Sequence, residues 1–145
     1  MIVIYVDQPG DGGDREVHEG LDVGHTFIEF IDGETGEEAY YGFYPNGIHD
    51  DEGHDWDVRY GMEVTKEEFH EMWSEVEAAL SDAPDYDLSD FNCSDWVIDL
   101  VEEGTGIELP DTQGDFPLGL PDGTNPGDLG EDLVDIGGVR NEDLP

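Results

Sequence analysis

Forty Asp and Glu side chains face only 4 Lys and Arg in this chain, a formal net charge of −36 over 145 residues. Any compact state brings those charges together, and their mutual repulsion opposes folding unless counterions screen it. At about 1 M salt the Debye length contracts to about 3 Å, and such a surface is tolerated and stays soluble. The acids are spread along the whole chain rather than gathered in a tail, so they read as a solvated surface. The fold must come from what lies between them. The hydrophobic fraction is 36% and includes 6 Phe, 6 Tyr and 3 Trp, enough for a small aromatic core and too much for a disordered chain. At this length one compact domain over residues 1–145 is expected.

The same balance sets what the chain can meet. Nucleic acid is a poor partner, because phosphate contacts need cations that are almost absent. Besides a solvated surface, the acidity can serve a basic protein partner, polyanion mimicry or calcium. The composition resembles that of proteins from salt-loving archaea. One cysteine, Cys93, forms no internal disulfide. No run reaches the ~18 apolar residues of a membrane span, and Met1–Val6 is too short and lacks the basic flank of a signal peptide. The expected location is the cytoplasm, or outside the cell without a recognisable leader, and the chain is also compatible with one domain of a longer protein. No cofactor is expected.

Periodicity predicts an α+β fold. Ile2–Val6 reads as a buried strand, and His25–Ile31 and Glu38–Tyr44 as a hairpin across the turn at Asp32–Gly36. Pro45–Asp57 reads as a surface loop leading to a strand over Val58–Val64. Thr65, with Glu68 at the capping-box position, opens a helix that buries Phe69, Met72, Trp73 and Val76 and ends before Pro84. Asn92 caps a second helix with the stripe Trp96, Val97, Leu100 and Val101, closed by Gly104 and Gly106. Beyond Ile107 the chain is rich in Gly, Pro and Asp, with a short helix around Asp128–Val134.

Cys93 would be the first residue of that second helix. Unpaired N–H groups and the partial positive charge at a helix start stabilise a thiolate and offer donors to an oxyanion. The competing reading is a core cysteine on the face of Val97 and Leu100, and strongly negative surroundings disfavour a thiolate. Among the histidines, His18, His49, His54 and His70 read as solvated. His25, after Gly24 at the mouth of an apolar strand, sits on an element rigid enough to hold an imidazole in register. Asp122, Asn125, Asp128 and the acids of His49–Asp57 fit no EF-hand spacing, and scattered histidines with one cysteine give no zinc pattern, so no metal site is expected.

Taken together, Gly24-His25-Thr26-Phe27-Ile28, Tyr41-Gly42-Phe43-Tyr44-Pro45 and Asn92-Cys93-Ser94-Asp95-Trp96, in that order, resemble the circularly permuted NlpC/P60 (papain-like) cysteine hydrolases. Relatives in that group include lecithin:retinol acyltransferase-like proteins and peptidase-like toxin effector domains. Asn125-Pro126-Gly127-Asp128-Leu129 also resembles a tail segment of effector-like members. The resemblance spans roughly residues 20–135. It implies a permuted papain-like sheet packed on helices, Cys93 as nucleophile, His25 as general base, and the Cys93 N–H as oxyanion donor. A third residue that orients the imidazole is expected toward the far end of the strand after the histidine strand. If Ile31 faces Glu37, His25 lies opposite Phe43, and Tyr41 is the nearest polar side chain on its face, with Tyr44 as the other phenol; no His, Asn or Asp falls there. The expected activity is thioester-mediated hydrolysis of an amide in a peptide or cell-wall-type bond, by a dyad or by a triad with Tyr41. The alternatives are an acyltransferase or lipid hydrolase of the same group, and a noncatalytic acidic binding module of the same fold.

Overall fold

The computed structural model describes residues 1–10, 12–15, 22–114, 116 and 120–144; His18 lies outside them. Its centre is a strand with no polar face. In β1 (Ile2–Asp7) every residue from Ile2 to Val6 is buried, which requires cover on both sides. Ile2, Ile4 and Val6 point into the main core, while Val3 and Tyr5 pack with Phe27 in a smaller cluster, as the two-residue period of a strand dictates.

On one side of β1 lie β2 (His25–Ile31), β3 (Glu38–Tyr44) and β4 (Gly47–Asp50), and on the other β5 (Val58–Met62). Short pairing strands β6 (Gln113–Gly114) and β7 (Gly123–Thr124) stand apart. With β8 (Val139–Arg140) the main sheet has six antiparallel strands in the order β4-β3-β2-β1-β5-β8. The class is α+β, as the sequence predicts.

Three helices cover this sheet: α1 (Lys66–Ser81), α2 (Cys93–Thr105) and α3 (Pro126–Asp135). α1 carries the predicted capping box between Thr65 and Glu68, and sets Phe69 and Trp73 edge-on to Phe30 at 5.7 and 5.4 Å between ring centroids. α2 turns a broad apolar face to the core, with Trp96, Val97, Ile98, Leu100 and Val101 all buried. Each such side chain contributes about 1.5–3 kcal/mol of transfer free energy. Gly104 lets α1 approach α2: a Cβ there would stand 2.3 Å from Cγ of Met72. α3 starts earlier than predicted, capped by Asn125 with Pro126 in the first turn, where a missing N–H costs nothing.

Two differences from the sequence reading bear on the site. Pro45 and Asn46 form a tight turn, so the segment read as loop returns along β3 as β4, with Tyr44 paired to Gly47 and Tyr41 to Asp50. The hairpin register also differs by one residue: Ile31 pairs with Glu38, not Glu37, and Phe27 with Gly42. A slip of one residue sends every side chain of a strand to the opposite face.

Candidate active site

Cys93 is placed by the start of α2. The Asn92 side-chain oxygen accepts from the N–H groups of Ser94 at 2.9 Å and Asp95 at 3.1 Å, and its amide donates to the carbonyls of Leu88 at 2.8 Å and Thr124 at 2.6 Å. Asn92 therefore caps the helix and pins its first turn to two loops. The Cys93 N–H is not taken up by this side-chain cap, and the Tyr86 phenol lies near it. Burial and the neighbouring Cys93 hold that phenol well above its ordinary range.

His25 is placed by the first residue of β2. One position along each element, Thr26 Oγ1 and Ser94 Oγ share a hydrogen bond of 2.7 Å, and both residues are fully buried. The strand and the helix are thus locked in register beside the histidine and the cysteine, and the Cys93 thiol lies close enough to the His25 ring to help raise its pKa.

The other side of the ring is occupied by Asp51, the residue following β4. Asp51 Oδ2 lies 2.8 Å from His25 Nε2, so Nδ1 is the ring nitrogen not engaged by the carboxylate. Tyr44 donates to Asp51 Oδ1 and stacks on the imidazole, with centroids 4.6 Å apart. Burial of His25 opposes its charge, but the bonds to Asp51 and Cys93 outweigh it and push the imidazole up to about 9. Burial likewise raises Asp51, yet the bonds from His25 and Tyr44 prevail and hold its carboxyl below the usual range. Gly42 makes the pair possible: a Cβ there would sit 1.9 Å from Asp51 Oδ2 and 2.6 Å from His25 Nε2.

Tyr41, expected to orient the imidazole, does not reach it. In the observed register Tyr41 pairs with Ile28 and its ring stands edge-on to Trp73 at 5.9 Å, packed against the helix-side core. Asp51 takes the position instead, and Tyr44 supports it. Of the remaining described histidines, His54 lies 4.9 Å from the His25 ring with its Nδ1 at 2.8 Å from the Asp55 carbonyl. His49 bonds Asn46 and His70 flanks Phe69.

Asp51 and Tyr86 are the residues beside His25 and Cys93 that sequence reasoning missed. The first had a signal in the turn Pro45-Asn46, which returns the chain along β3; the second lies in an irregular connection with no pattern to read. Asn125 and Asp128 bond one another at 2.7 Å, within the cap of α3. Among the described residues no group of three or more His, Cys, Asp or Glu could hold a metal ion, and no helix is long and apolar enough to cross a membrane. Comparison of the chain with protein-family models, with curated proteins and with solved structures finds no match.

Proposed function

We propose that the chain is a permuted papain-like cysteine hydrolase that cleaves an amide by a Cys93-His25-Asp51 triad. The observation that supports this reading is the His25 ring held between the Cys93 thiol and the Asp51 carboxylate, since a nucleophile, a base and an orienting group must be in mutual reach. His25 holds the proton given up by the thiol, and the sulfur adds to the carbonyl carbon. The resulting oxyanion accepts from the Cys93 N–H and from the nearby Tyr86 hydroxyl. As the C–N bond breaks, His25 passes its proton to the leaving amine. The thioester is then hydrolysed by a water that His25 deprotonates. Asp51 fixes the ring and stabilises the imidazolium throughout.

One observation favours the noncatalytic alternative: Cys93 is only 5% exposed. Alkylation separates the two. At about 1 M salt or above, where the charge is screened, iodoacetamide at pH near 6 should label Cys93 in the folded protein at least tenfold faster than in His25→Ala. Absence of labelling in the folded state, or equal rates in the two proteins, removes the hydrolase reading.

A further inference from the structure

A cleft of about 680 Å³ opens near His25 on the sheet face away from the helices. Its volume lies within the range of small-molecule and side-chain sites. Tyr5 and Phe27 form its floor, and the half-buried rings of Tyr40 and Trp56 stand beside them. Tyr5 meets Phe27 nearly parallel at 5.1 Å, Trp56 edge-on at 5.3 Å and Tyr40 tilted at 6.2 Å. Tyr5 and Phe27 thus stack on one another and Trp56 meets Tyr5 edge to face, an aromatic wall against which an organic cation can rest.

Asp7, Asp55 and Asp57 complete the lining, which contains no Lys or Arg. In so acidic a chain, carboxylates at a rim mean little alone; beside the aromatic walls they set the sign of what fits. Asp57 is already engaged, accepting from the Gln8 N–H at 2.8 Å. Asp7 is the group with an unmet requirement, because burial and then the neighbouring Asp57 push its carboxyl up to about 6. A cation in the cleft would relieve that repulsion. The indole of Trp56 already accepts one, with the Arg59 guanidinium carbon 5.4 Å from its centroid.

The cleft neighbours the triad histidine, which is not itself part of its lining. Two of its lining rings, Phe27 and His54, lie 5.9 and 4.9 Å from the His25 ring. Resting on the hydrolase reading above, we infer that this cleft receives the basic side chain, Lys or Arg, of a peptide substrate beside the bond to be cleaved. Substrate choice then follows from charge and flat shape together, and the acidic, aromatic cleft rejects acidic and uncharged side chains.

The test is a binding titration of the full chain carrying Cys93→Ala, at about 1 M salt, followed by NMR at the Trp indole N–H signals. N-acetyl-arginine amide should saturate the shifts, N-acetyl-citrulline amide should bind at least tenfold more weakly, and Asp7→Asn and Tyr40→Leu, added separately, should each weaken the arginine probe about tenfold. N-acetyl-lysine amide binding with the arginine probe shows a general cation site, as inferred. Equal binding of arginine and citrulline probes, or an arginine affinity indifferent to both substitutions, overturns the inference. Because no chemistry occurs in this variant, failure here leaves the alkylation result standing, and failure of alkylation leaves this binding result readable.

Discussion

Replacing Asp51 by Asn removes one charge from the site and almost no volume. The Tyr44 hydroxyl still finds an acceptor, while the His25 imidazolium loses its anionic partner. In the wild type that ring is raised from 6.5 to about 9 against the opposing effect of burial, a difference of roughly 2.5 units or about 3 kcal/mol. Without Asp51 the desolvation of a ring only 8% exposed is opposed by Cys93 alone, and the midpoint should fall to 6.5 or below. The consequence for stability has a definite sign. A histidine whose folded-state pKa is raised contributes stability that is fully present below about 6.5 and lost as pH rises through about 9. Asp51 remains ionised down to below its ordinary range. Wild type should therefore exceed Asp51→Asn by up to about 3 kcal/mol between roughly pH 5 and 6.5, and the gap should shrink to about 1 kcal/mol, the worth of a neutral hydrogen bond, above pH 9. An NMR titration of the His25 ring gives the midpoint, and urea unfolding at pH 6 and pH 10 in high salt gives the two gaps. A midpoint still near 9 in Asp51→Asn, or equal gaps at both pH values, refutes the assignment of Asp51 as the group that holds the ring.

Gly42→Ala should separate His25 from Asp51, because its Cβ would overlap the carboxylate at 1.9 Å; a cost of about 1–3 kcal/mol and at least a tenfold slower alkylation of Cys93 are expected, while Gly33→Ala, with nothing within 4 Å, should leave both unchanged. The thermal midpoint should climb steeply between about 0.1 and 1 M KCl as the Debye length falls from about 10 to about 3 Å, and a midpoint independent of salt would show that the net charge of −36 does not oppose folding.

The elements legible in the sequence are those with a local signal. Thr65 and Glu68 announce α1, Asn92 announces α2, and the β-branched and aromatic runs of Ile2–Val6 and His25–Ile31 announce two strands; all are found, with Cys93 and His25 at the element starts expected of them. Register was not legible, since the five-residue turn at Asp32–Gly36 tolerates neighbouring pairings and only the packed faces decide between them. The unit slip that resulted placed Tyr41 on the wrong side. Asp51 was hidden for another reason. Asp50, Asp51 and Glu52 are chemically alike, and only the fold determines that Asp51 is buried while its two neighbours are exposed. In a chain this acidic, a functional carboxylate has no compositional contrast.

That lack of contrast also explains how buried acids are stabilised here. Two of the four Lys and Arg residues meet the acids of α3: Arg15 approaches Asp132 at 2.6 Å and Asp135 at 3.3 Å, and Arg140 donates to Glu131 at 2.9 Å. Lys66 and Glu34 are both mostly exposed, and such pairs are worth little. No guanidinium or ammonium pairs with Asp51 among these ion pairs, so its buried carboxylate relies on hydroxyl and ring N–H donors. Tyr44 and His25 supply them at Asp51, and Tyr5 does the same for buried Glu29 at 2.8 Å, each phenol being raised in turn by burial and by the carboxylate beside it. A phenol donates a strong hydrogen bond to an anion without adding charge of its own. Asp51 can thus stay ionised next to His25 inside a strongly negative molecule, and the imidazolium is the only cation that the site needs.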